Sequence, residues 1–125
     1  MTEELVTLET AKLLKEKGFN EFCEFAYADE DLHIMGLHST NSFFNEIGCG
    51  YTTPTKSIAQ KWLRETKNLH IEIYRNACGY GYIIVKANNG TWMKDDDAKG
   101  PNDGGNWDTY EEALEEGLQE ALKLI

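Results

Sequence analysis

From Lys56 to Lys67 the apolar and basic residues separate at helical spacing. Ile58, Ala59, Trp62 and Leu63 fall on one side of a 3.6-residue repeat, and Lys56, Lys61, Arg64 and Lys67 fall on the other. The pattern predicts an amphipathic helix with Thr53 as its N-cap and Pro54 in its first turn, where a missing N–H costs nothing. After Asn68 the period shortens to two. Leu69, Ile71 and Ile73 alternate with His70, Glu72 and Tyr74, as in a strand with one buried face.

The other elements are placed around this helix and strand. Thr7 is positioned to cap a short first helix with Leu8, Ala11 and Leu14 inward, and Gly18 followed by Phe19 reads as a left-handed ending. Phe22 to Ala28 and Leu32 to Gly36 predict a hairpin about Asp29-Glu30-Asp31. Asn41 is placed to cap a single helical turn that ends at Gly48. Asn76-Ala77-Cys78-Gly79 carries turn chemistry and leads into Y-G-Y-I-I-V-K-A; Asn88-Asn89-Gly90 turns again, and T-W-M-K forms a short edge strand. The polar, glycine-containing stretch 94–108 is expected to be a mobile loop.

Thr109 and Glu112 make a capping box for the last helix. Its inner stripe is Tyr110, Ala113, Leu114, Gly117, Leu118, Ala121, Leu122 and Ile125, with Glu111, Glu115, Glu116 and Glu120 outside. Small residues recur at 113, 117 and 121, so another element is expected to approach closely there. The order predicts a single α+β domain over residues 1–125. Its antiparallel sheet has about four to five strands, with three main helices largely on one face.

Composition narrows the class of function. A chain of 125 residues with 41% hydrophobic content suits one core. Acidic residues stand where a signal peptide carries basic ones, and no apolar run approaches the roughly 18 residues of a membrane span. The expectation is a soluble, cytoplasmic protein with no membrane partner. Cys23, Cys49 and Cys78 are odd in number and far apart, which suits free thiols in a reducing compartment. The net charge of −10 disfavours nucleic acid and anionic lipid. Thr53 to Arg75 nevertheless holds five basic residues against two acidic ones, +3, leaving −13 for the rest.

Three segments, L-V-T-L-E-T-A-K-L-L-K-E-K-G-F, Y-T-T-P-T-K-S-I-A-Q-K-W-L-R-E-T-K and W-D-T-Y-E-E-A-L-E-E-G-L-Q-E-A-L-K-L-I, span both termini and the centre. In them the chain resembles small uncharacterised proteins of gut Bacteroides bacteria and their phages or mobile elements. The resemblance implies a mobile-element context and carries no catalytic motif.

Candidate chemistry is sparse. His33, His38 and His70 lack the paired cysteines of a zinc site, and Asp95, Asp96, Asp97, Asp103 and Asp108 lack the alternating ligand pattern of a calcium loop, so no metal or cofactor is expected. Cys49 stands between two glycines, which raises a cysteine hydrolase with His70 as base, although nothing in the spacing joins them. Tyr74, Tyr80 and Tyr82 are candidates for an open aromatic patch on the sheet; the competing reading pairs them across strands under the loops. Together with Lys56, Lys61, Arg64 and Lys67 on the central helix they are the candidate binding residues, and no catalytic residue is assigned. The leading expectation is a non-enzymatic interaction or accessory module whose partner is another protein or a second copy. The alternative is a single-stranded nucleic-acid binder that stacks bases on the tyrosines. A small cysteine hydrolase is the third.

Overall fold

Threonine hydroxyls start three of the four helices among the described residues. The structure is a computed structural model describing residues 4–28, 31–48 and 50–125, with the side chains of 31–38 outside the description. Thr7, Thr40 and Thr109 accept hydrogen bonds from the N–H groups of Thr10, Phe43 and Glu112, each satisfying a donor that the helix itself leaves unpaired. The chain divides into two compact units, Met1–Thr55 and Lys56–Ile125, each with its own antiparallel three-stranded sheet.

In the first unit, α1 (Leu8–Glu16) ends as its glycine predicts: Gly18 has φ +96°, and the Phe19 N–H reaches back to the Leu14 carbonyl at 2.9 Å. β1 (Cys23–Ala28) forms the expected hairpin with β2 (Asp31–Ser39) and also pairs with a short β3 (Tyr51–Thr53). Between them lies α2 (Asn41–Ile47), capped by Thr40 rather than by the expected Asn41. Asn41 is instead a buried cross-link. Its Nδ2 donates to the Phe19 carbonyl (2.6 Å) and its Oδ1 accepts from the Thr52 N–H (2.9 Å). Val6, Leu14, Phe19, Ala26 and Phe44 are buried.

Thr53, expected to cap the central helix, is the last residue of β3 and pairs with Phe25. The helix α3 (Lys56–Thr66) begins three residues later and opens the second unit. β4 (Leu69–Asn76), β5 (Gly79–Lys86) and β6 (Trp92–Asp95) follow as a meander in spatial order β4-β5-β6, and α4 (Tyr110–Lys123) closes the chain. α3 packs on β4, and α4 packs on β4 and β5. The sheet meets the helices through Leu69, Ile71, Tyr82 and Ile84, all buried. Gly117 allows the close approach expected of it: a Cβ there would lie 2.9 Å from Ile71 Cγ2 and 3.2 Å from Tyr82 Cγ.

The α+β class and the antiparallel strands are as the pattern predicts; the strands are shared between two sheets where one was expected. Hydrophobic alternation marks strands but does not specify which edges pair, and β1 and β5 each recruit a second neighbour locally. The phase of α3 also differs. Lys56 is only 7% exposed and Ile58 is 46% exposed. Lys56 turns inward because its Nζ donates to the Glu111 carbonyl (3.1 Å) and lies 4.0 Å from Glu115, itself buried and not on the outer face of α4.

The polar stretch after β6 closes on itself. Gly100 N–H donates to the Gly105 carbonyl, Gly105 N–H to Asn102, and Asn102 N–H to Asn106, at 2.7–2.9 Å. Trp107 then pairs with Tyr80 through two backbone hydrogen bonds of 2.8 and 2.9 Å. No helix among the described residues is long and apolar enough to cross a membrane.

Candidate protein-interaction surface

The two-residue turn Ala77-Cys78 sets the register of the hairpin: Asn76 lies opposite Gly79, so even-numbered residues of β4 face odd-numbered residues of β5. Directly opposed side chains share a face. Leu69, Ile71, Ile73 and Arg75 therefore lie with Lys86, Ile84, Tyr82 and Tyr80 on the helix side, while His70, Glu72 and Tyr74 lie with Val85, Ile83 and Gly81 on the open side.

This register separates the three tyrosines expected to form one patch. Tyr82 is 2% exposed, with its ring centroid 5.8 Å from that of Trp107. Burial, reinforced by the charges of Glu120 and Glu116, pushes its hydroxyl pKa well up. Tyr80 is half-buried on the helix side, beneath the Arg75 guanidinium (4.9 Å) and edge-on to Tyr110 (6.2 Å). Tyr74 alone lies on the open side, folded across Gly81, where a Cβ would overlap its ring. Its hydroxyl donates to Asp96 Oδ2 at 2.5 Å, and burial together with that bond pushes its pKa up to about 12.

Beyond Tyr74 the open face has a different aromatic at its edge. A β-bulge in β6 sets Trp92 opposite Val85 and Asp95 opposite Ile83, so both project on the open side. Trp92 is 61% exposed; Ile83, Val85, His70 and Asp95 are half-buried, and Glu72 is exposed. Lys86 and Lys94 lie opposite Leu69 and Ile84, on the helix side. The open face thus combines an exposed indole and aliphatic side chains with the carboxylates Glu72 and Asp95.

The expected basic face of α3 is smaller than its sequence suggests. Lys61 and Arg64 are exposed, Lys67 lies over the Trp62 ring at 5.6 Å, and Lys56 is buried. Three aspartates from the end of β6 onward accept local hydrogen bonds: Asp95 Oδ1 from the Asp97 N–H, Asp96 Oδ1 from the Ala98 N–H, and Asp108 Oδ1 from Asn102 Nδ2. Among the described residues no three His, Cys, Asp or Glu side chains are grouped to hold a metal ion. Cys23 is buried, which pushes its thiol pKa up to about 11, and Cys78 is exposed on the hairpin turn. Cys49 and the side chains of His33 and His38 lie outside the described residues.

The sequence pattern places Trp92 in an edge strand and Trp107 in the polar loop and marks neither as a binding residue. The signal for Trp92 was an indole next to an Asn-Asn-Gly turn, in a strand too short to bury it. Comparison with protein-family models, with curated proteins and with solved structures finds no match to this chain.

Proposed function

We propose that the chain is a small non-enzymatic protein-interaction module whose contact surface is the open face of the second sheet. The observation that carries this reading is Trp92, a large indole left 61% exposed beside Ile83 and Val85. Exposed aromatic side chains grouped with aliphatic ones are characteristic of the centres of protein interfaces. The mobile-element setting implied by the resemblance suits an accessory protein of this kind. Gentle affinity recovery of the tagged chain from its native host tests the reading: a co-purifying protein or a homo-oligomer is the expected result, and recovery of the chain alone and monomeric overturns it.

The exposed pair Lys61 and Arg64 on α3 favours a second reading, contact with single-stranded nucleic acid along that helix. A salt titration with oligo-dT separates the two. Phosphate contacts give binding that strengthens steeply as salt falls, and undetectable binding at low salt removes this reading.

A further inference from the structure

We infer that the open face receives an extended segment of a partner protein with lysine or arginine at alternate positions, laid beside β6 as an added strand. The inference rests on the interaction-module reading and specifies its partner. Three observations lead to it. First, β6 is an edge strand in the sheet order β4-β5-β6, so its outer side offers the main-chain positions at which an extended chain can add.

Second, charge on this sheet is sorted by face. The strand cations Arg75, Lys86 and Lys94 are on the helix side, whereas Glu72 and Asp95 are on the open side; His70, Tyr74 and the buried Asp96, whose carboxylate lies over Gly81, are the other titratable groups there. An acidic chain of net charge −10 adds long-range attraction for a basic partner and repels phosphate.

Third, the bulge fixes a spacing. Trp92 and Asp95 stand opposite Val85 and Ile83, which are two residues apart on β5, about 7 Å. Alternate side chains of an added strand have the same spacing. One arginine or lysine then lies over the Trp92 ring, where a cation is attracted by the negative face of the indole, while the next meets the Asp95 carboxylate.

Fluorescence anisotropy of a labelled peptide alternating arginine and valine, titrated with the full chain, tests this. The expected result is saturable binding that weakens at least about five-fold in Trp92→Ala and in Asp95→Lys. Glu65→Lys, which makes the same charge change on the exposed side of α3, should bind as the parent does. Thermal melts identify any variant that has lost its fold, and Glu72→Lys serves as the second charge reversal on the face. Absence of binding, equal binding of a glutamate–valine peptide, or unchanged affinity in both Trp92→Ala and Asp95→Lys overturns the inference. So does a homodimer that Trp92→Ala dissociates, or oligo-dT held by this face. A partner recovered from the host that remains bound to Trp92→Ala and Asp95→Lys leaves the module reading standing and rejects this surface alone.

Discussion

Tyr74 and Asp96 meet across a glycine: the phenol hydroxyl donates to Asp96 Oδ2 at 2.5 Å, over Gly81, where no side chain fits. The Asp96 carboxylate is 7% exposed and also accepts from the Tyr82 N–H (3.3 Å) and the Ala98 N–H (3.1 Å). It therefore joins β4, β5 and the turn after β6. Asp96→Ala orphans all three donors and is expected to cost about 2–4 kcal/mol, against about 1–2 kcal/mol for Tyr74→Phe. Denaturant melts of the two variants give the comparison, and equal losses would contradict it.

The same pair sets a response to alkali. Tyr74 has its pKa raised from 10.0 to about 12 in the fold, so its neutral form is favoured there. The stability it contributes is complete below pH 10 and is lost as pH rises toward 12; Tyr82 acts in the same direction. In a spectrophotometric titration of the six tyrosines, Tyr74→Phe should remove one late-ionising phenol.

Lys56 and Glu115 are both buried, 7% and 8% exposed, with Nζ 4.0 Å from Oε1. Removing one partner leaves the other charge in a poorly solvated place, so Lys56→Ala should destabilise by about 2–4 kcal/mol. Replacing both, Lys56→Met with Glu115→Leu, should recover most of that loss. A double-mutant cycle reads the coupling directly, and strictly additive losses would show that the two charges act independently.

Asn41 plays a comparable part in the first unit, joining the carbonyl of Phe19 to the N–H of Thr52. Asn41→Ala should cost about 2–3 kcal/mol because both backbone groups lose their partner. Asn41→Asp should retain the bond to Thr52 and lose the donor to Phe19. Thermal unfolding should therefore place it between the parent and the alanine variant.

Gly117→Leu tests the contact between α4 and the sheet. A Cβ already falls 2.9 Å from Ile71, so the larger side chain should destabilise by about 1–3 kcal/mol through overpacking. A melting temperature equal to that of the parent would show that the sheet can withdraw at no cost.

Features encoded locally were legible in the sequence: Thr7, Gly18, the Thr109–Glu112 box and the close approach at Gly117 are all where their chemistry predicts. What the pattern misplaced depends on partners distant in the chain. Lys56 sits inward and Ile58 outward because α4 presents the Glu111 carbonyl and Glu115. β3 is three residues long, too short for a period, and it draws Thr53 away from the helix. Register divides the three tyrosines. A turn of two residues fixes the parity of the hairpin, and counting across Ala77-Cys78 separates Tyr74 from Tyr80 and Tyr82. Trp92 reaches the open face through a bulge, which alternation alone does not reveal.

The stretch between Ala98 and Gly105 has the composition of a linker but the bonding of a clasp, and this determines where the chain can grow. A Cβ on Gly105 would overlap the Ala98 backbone, and Asn102 Nδ2 donates to both the Cys78 carbonyl and the Asp108 carboxylate. An inserted tag would separate those partners and release Trp107 from its pairing with Tyr80. At the Asn89-Gly90 tip a Cβ on Gly90 would meet nothing within 4 Å, so side-chain atoms added there extend into open space. For a reporter or a crosslinking handle, the accommodating position is therefore the short turn and not the long loop.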